Sequence, residues 1–274
     1  MNTFLKSLIK VYKEDKLSIL SGYASFFITI SAVPFVSLVL FILGNLSPSL
    51  VDSFEALIAT VVPQGLVDGF FSLIEQIKET SITILLPVSV LTALWASCKG
   101  IGGLARGIQV VYKNDQESVY ILRVIKNLWR TAIFAILLIL SLAVFSVGDL
   151  LLANIKTDSY AMSVIFNILL KLRYVAYLAF LVLFFVFLYR RLSGIKGLLK
   201  HLPGAIFTSV GWTIFTAIYS LYISFTLGKP SVYLGMGSLV LFMLWVYFLV
   251  MIILIGSEIN KLYIISTMSR QNKE

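Results

Sequence analysis

A chain of 274 residues that is 59% hydrophobic and 13% charged carries about half the charge of an average soluble domain, roughly 25%, and has the composition of a membrane protein. The single cysteine, Cys98, excludes an internal disulfide and any CxxC motif, and the single histidine, His201, argues against a zinc or histidine-based hydrolase site. The net charge of +9 fits either a nucleic-acid partner or basic cytoplasmic loops of a membrane protein, and the placement of the charges separates the two.

Residues 1–18 read as a basic amphipathic start. Phe4, Leu5, Leu8, Val11 and Tyr12 recur at helical spacing between lysines, which suits a helix on anionic lipid headgroups. The apolar run that follows is longer than a signal-peptide core and no A-x-A-like site follows it, so it reads as an uncleaved first span, about 21–43. Ser21, Ser25 and Thr29 share one face of it, and Pro34 is expected to kink it.

Residues 44–80 read as two short amphipathic helices on the outer face. Ser47-Pro48 is a helix start with a capping hydroxyl and a first-turn proline, and Pro63 ends the first helix. Span 2 is expected at about 81–98, with a second kink at Pro87. The basic segment 99–130 follows, with Gly100, Gly102 and Gly103, then the patterns Leu104, Ile108, Val111, Tyr112 and Val119, Leu122, Ile125, Leu128, separated by a turn at Lys113-Asn114-Asp115. The glycines near lysine do not have the spacing of a phosphate loop, and no strand precedes them. Spans 3 and 4 are expected at about 131–150 and 172–189, and Arg190, Arg191, Lys196 and Lys200 mark the next inner link. Spans 5 and 6 form a closing hairpin at about 204–227 and 237–262, each with about the 20 apolar residues needed to cross a bilayer.

With the N-terminus inside, seventeen of the 22 Lys and Arg residues fall on inner segments and five on outer ones. This bias predicts an all-α, polytopic bundle of six transmembrane helices in a single domain, with both termini cytoplasmic and short amphipathic helices between spans. It accounts for the basicity without nucleic acid. The expected partners are membrane lipids and anionic headgroups at the inner face; no cofactor or metal is expected.

Two features carry the candidate site. Glu258 lies within an apolar span, and an intramembrane carboxylate is a functional candidate. From Gly237 to Glu258 is about 31 Å along a helix, so the carboxylate also fits an interfacial anchor, paired with Lys261 three residues on. Asn260 lies beside it. In span 5, Ser209, Thr213, Thr216, Ser220 and Ser224 follow at steps of 4, 3, 4 and 4 on one helix face, flanked by Tyr219 and Tyr222. Such a stripe serves either helix packing or a polar path for a substrate. Of the tryptophans, Trp129 suits an inner belt and Trp245 a core position.

The pattern of Tyr23-Ala24 with Pro34, Leu94-Trp95 with Tyr112, Leu202-Pro203-Gly204-Ala205, Tyr222, Tyr233-Leu234-Gly235, Trp245 and Gly256-Ser257-Glu258-Ile259-Asn260 resembles the YihY/BrkB family of bacterial inner-membrane proteins, formerly labelled ribonuclease BN. The resemblance covers nearly the whole chain. The basic segment matches more loosely, with Gln109 and Val110 where an asparagine-containing run is usual. The resemblance implies a multi-pass protein of the bacterial cytoplasmic membrane and links to virulence, serum resistance and envelope or lipid transport. A nuclease sits badly with one histidine and no clustered metal ligands. The expectation is therefore a transporter or flippase-like protein for a lipid or amphipathic solute, the alternative a non-transporting scaffold or regulator, and an enzyme acting on lipid or RNA comes last.

Overall fold

A computed structural model describes residues 16–63, 66, 82–113, 129, 160–227 and 236–271. Among the described residues every regular element is helical: α1 (Leu17–Leu46), α2 (Pro48–Val61), α3 (Ile82–Val111), α4 (Tyr160–Ser193), a 3-10 turn (Leu199–His201), α5 (Leu202–Leu227) and α6 (Met236–Gln271). The N-terminal segment before Lys16, the second outer helix, the expected third span and the second half of the basic segment lie outside the described residues, apart from isolated positions such as Leu66 and Trp129.

Local sequence explains several boundaries. Ser47 takes an extended conformation that ends α1, and Pro48 opens α2 at its first position, where the missing N–H costs nothing. The hydroxyl of Ser47 makes no capping bond to the backbone; it meets the Ser49 hydroxyl at 2.8 Å instead. The expected cap is thus absent, and proline alone sets the start. Val62, held extended by the following Pro63, ends α2. α1 and α3 run on through Pro34 and Pro87. The glycines at 100, 102 and 103 do not interrupt α3, which ends where Lys113 turns left-handed at φ 52°.

Those glycines set how α3 packs. A methyl group on Gly100 would strike Ile28, and one on Gly103 would strike Tyr23 and Ala24. Rising numbers on α3 therefore meet falling numbers on α1, so the two helices are antiparallel and in close backbone contact, as small residues allow in membrane bundles. The small hydroxyl face of α1 is turned inward: Ser21 and Ser25 are fully buried and Thr29 nearly so, with Ser21 donating to the Met251 sulfur at 3.7 Å.

α6 is the central helix. Leu249, Val250, Ile253 and Leu254 are buried in the core, and Trp245 is buried with them at 4% exposure, as its mid-span position predicts. α5 pairs antiparallel with α6: Gly204 lies by Asn260, Gly211 by Ile252, and Tyr219 donates to the Leu241 carbonyl at 2.8 Å. α4 pairs antiparallel with α5, Tyr189 meeting Thr208 and Phe185 meeting Trp212. The outward faces are apolar: Ile206, Ile214, Ile218, Leu221 and Phe225 on α5 are all exposed. Leu199–Phe225 and Leu239–Thr267 are long and apolar enough to cross a membrane, and Leu17–Ala32 is a shorter apolar stretch.

Candidate functional site

The end of α3, the end of α4, the start of α5 and the second half of α6 come together around the Gly256-Ser257-Glu258-Ile259-Asn260 run. α6 continues past Glu258 to Gln271, about 20 Å further along the axis. The carboxylate is therefore not at a helix end. It is 1% exposed, and Ser257 and Asn260 are fully buried beside it.

Asn260 has a defined task. Its Oδ1 accepts a hydrogen bond from the backbone N–H of Gly204 at 2.6 Å. Gly204 is in the first turn of α5, where backbone N–H groups have no partner within their own helix. Asn260 thus caps α5 from a different helix, 56 residues away in sequence. The contact requires glycine: a methyl on Gly204 would collide with the Gly256 carbonyl oxygen and the Asn260 side chain, and one on Gly256 with Thr208, Tyr189 and the Gly204 carbonyl.

One turn along α5, the Thr208 hydroxyl meets the Tyr189 hydroxyl at 2.6 Å. Tyr189 spends its only proton on the Ile253 carbonyl at 2.8 Å, so Thr208 must be the donor to the tyrosine oxygen. This chain ties α4, α5 and α6 at one level, and both side chains are fully buried.

Tyr112, just past α3, lies against Asn260 and within the field of Glu258. Its ring meets His201 edge-on at 6.2 Å. Burial pushes the phenol well above its ordinary range, so the group stays protonated. His201 Nε2 faces the Ile195 carbonyl at 3.1 Å and the Ser193 hydroxyl at 3.4 Å. Donation to the carbonyl assigns the proton to Nε2 and leaves Nδ1 as an acceptor. Three atoms of this cluster, the Tyr112 hydroxyl, His201 Nδ1 and Asn260 Nδ2, are buried without completing a hydrogen bond among the described residues. The Glu258 carboxylate lies 3.4 Å from the Lys261 ammonium, itself 17% exposed. This is the i, i+3 pairing that the spacing predicts, and it links the buried cluster to the protein surface.

The hydroxyl stripe of α5 is distributed differently. Ser209 is fully buried at the edge of the cluster, Thr216 and Ser220 are half-buried, and Thr213, Tyr222 and Ser224 are exposed. Ser209, Thr213 and Ser224 each donate to the carbonyl four residues earlier at 2.9 Å, and Thr216 faces the Trp245 indole N–H at 3.4 Å. The structure brings Glu258, Asn260 and Ser209 to one end, and the rest of the stripe runs away from them along α5. The kink candidates Pro34 and Pro87 lie in α1 and α3.

Tyr189, Thr208, His201 and Ser193 are the members that pattern reading passed over. Thr208 is the i+4 neighbour of Gly204, one position off the stripe, and Tyr189 is the one hydroxyl in the aromatic run before Arg190. Among the described residues, no three His, Cys, Asp or Glu side chains gather where they could hold a metal.

The family model described as Virulence factor BrkB matches residues 8–274. A curated relative from Bacillus subtilis (strain 168), named "Putative ribonuclease-like protein YfkH", is 25% identical over 268 residues, covering 95% of this chain and 94% of that protein. No solved structure matches the chain.

Proposed function

The chain belongs to the BrkB family of membrane proteins, and from that premise we propose that it moves a lipid or amphipathic solute through the bacterial cytoplasmic membrane, as a six-span protein with both termini inside. The observation that carries this reading is Glu258, held at 1% exposure just past the uninterrupted apolar stretch 239–256 of α6. Burying an ion costs several kcal/mol even when it is paired, and a purely structural helix has no need of that cost. In this reading Glu258, Asn260 and Ser209 form the inner end of a path. Thr213, Thr216, Ser220 and Ser224 continue it along a side of α5 that is partly open laterally, where the headgroup of an amphiphile could travel while its tails stay in lipid; Tyr222, half a turn of the helix from this stripe, lies on the other side. The hydroxyls that donate to their own helix backbone retain oxygen lone pairs for a passing polar group.

The test uses the full chain reconstituted in vesicles with fluorescent lipid. Glu258→Gln and Thr213→Leu are expected to abolish lipid movement while the protein remains folded in the membrane. Unchanged movement in both variants rejects the path. Cysteine labelling of the two termini from either side of the membrane checks the topology; labelling of either from outside rejects it.

A second reading, a scaffold or regulator of envelope processes, is favoured by the same intrahelical bonds, which also suit a stripe used only for packing. It predicts that both variants keep function while charge reversal at Arg123, Lys126 and Arg130 loses it. Ribonuclease, the word in the name of the Bacillus relative, ranks last, because in the hydroxyl–imidazole pair of the buried cluster, Ser193 with His201, the Nε2 atom gives its proton to the Ile195 carbonyl and is no base.

A further inference from the structure

The link between α4 and α5 is built as a rigid turn that pushes leucines outward among basic residues. Gly194 and Gly197 take left-handed conformations, with φ 74° and 110°, which side-chain-bearing residues adopt only with strain. The turn is pinned from inside: Ile195 N–H donates to the Ser193 hydroxyl at 3.1 Å, buried His201 reaches the Ile195 carbonyl, and the His201 N–H closes on the Leu198 carbonyl at 3.1 Å. This build leaves Leu198 at 52%, Leu199 at 77% and Leu202 at 36% exposure. Their spacing of 198, 199 and 202 puts them on one side of the turn entering α5. Arg190, Arg191, Lys196 and Lys200 lie within the same thirteen residues, 190–202, and are all exposed. Among the described residues the carboxylates are Asp52 and Glu55 on α2 and Glu258, which is buried and paired with Lys261; none balances this charge.

Three exposed leucines interspersed with four exposed cations in one short turn do not suit bulk water or a nucleic acid backbone. An interfacial turn has this composition, with apolar side chains in the acyl boundary and cations at the phosphates. We infer that residues 190–202 form a binding site for anionic phospholipid, in which Leu198, Leu199 and Leu202 enter the bilayer and Arg190, Arg191, Lys196 and Lys200 hold the headgroup phosphates. The site lies on the end of the bundle that holds the Glu258 cluster, and it stands independently of whether the chain moves a solute.

Two measurements test it on the full chain in lipid nanodiscs. First, a nitroxide at Leu199→Cys, in a Cys98→Ala background, is read for collisions with oxygen and with a water-soluble nickel chelate. The proposal expects oxygen to win, as it does inside a bilayer. Chelate access equal to that of an aqueous loop overturns it, and so does protection from both reagents, which would mean that protein covers the turn. Second, phosphatidylglycerol is titrated into phosphatidylcholine discs and retained lipid is counted by native mass spectrometry. Each cation near an anionic surface adds to the attraction, so Lys196→Glu with Lys200→Glu should weaken phosphatidylglycerol retention at least about tenfold, with thermal stability in pure phosphatidylcholine unchanged. Equal retention by the wild type and the double variant overturns the proposal.

Discussion

Replacing Asn260 isolates the bond that joins the two ends of the closing hairpin. Asn260→Ala deletes the acceptor of the Gly204 N–H, which is buried between α5 and α6. Leaving a buried donor without a partner costs about 1–3 kcal/mol, and loss of a helix cap measured independently falls in a similar range, about 0.5–2 kcal/mol. These describe the same interaction and are not summed; about 2 kcal/mol is the expected loss. For a chain of this size that lowers Tm by roughly 4–8 °C. The assay is thermal unfolding in detergent micelles, followed by far-UV circular dichroism. Alanine also leaves a void, so Asn260→Leu is the companion: it keeps the volume, drops the acceptor, and should lose about as much. Amide exchange at Gly204 should quicken in both variants. If Asn260→Leu melts within a degree or so of wild type and the Gly204 amide stays protected, the capping argument is wrong.

Gly204→Ala and Gly256→Ala each force a methyl into backbone or buried hydroxyl atoms across the α5–α6 contact; both should cost more than about 3 kcal/mol and yield little folded protein on size-exclusion chromatography. Tyr112→Phe removes a hydroxyl that completes no hydrogen bond among the described residues, so its Tm should change by less than about 2 °C, corresponding to roughly 0.5 kcal/mol; any loss of lipid movement would then report the chemistry of that hydroxyl rather than folding. Lys261→Met removes the cation paired with buried Glu258 and should destabilise by roughly 2–3 kcal/mol, somewhat less than for a fully buried pair because Lys261 is partly exposed. Adding Glu258→Gln should restore part of that loss, and a double variant no more stable than Lys261→Met alone would contradict the pairing. Thr208→Val leaves the bond from Tyr189 to the Ile253 carbonyl in place, so it should cost only about 1 kcal/mol in the same melt.

The glycines of this chain show how function and folding become entangled at the candidate site. Gly204 and Gly256 allow α5 and α6 to touch, and that contact is what places Asn260 on the α5 start and Glu258 in the interior. A substitution that disturbs the packing will therefore disturb any path, and only variants that keep volume, such as Glu258→Gln and Tyr112→Phe, separate the two. The proposed lipid contacts of the 190–202 turn lie outside this entanglement, because Leu198, Leu199, Leu202 and the four cations are exposed.

Local chemistry was legible in the sequence by itself. Long apolar runs announce spanning helices, Pro48 and Pro63 bound α2 although Ser47 does not cap it, Trp245 falls in the core, and Glu258 pairs with Lys261 because three residues make less than one helical turn. Periodicity also identified Ser21, Ser25 and Thr29 as one face, which the fold turns inward. What periodicity cannot state is the partner that a face meets or the level at which two helices cross. The stripe of α5 reads as one uniform feature, yet only its Ser209 end is fully buried. Tertiary structure alone decided that Asn260 caps a helix 56 residues away, that Tyr189 and Thr208 join it, and that α6 runs on past Glu258 to leave the carboxylate inside the bundle. The physical reason is range: helix signals act within one turn of the chain, whereas the hydrogen bonds of the cluster depend on where separate helices, let together by glycine, come into contact.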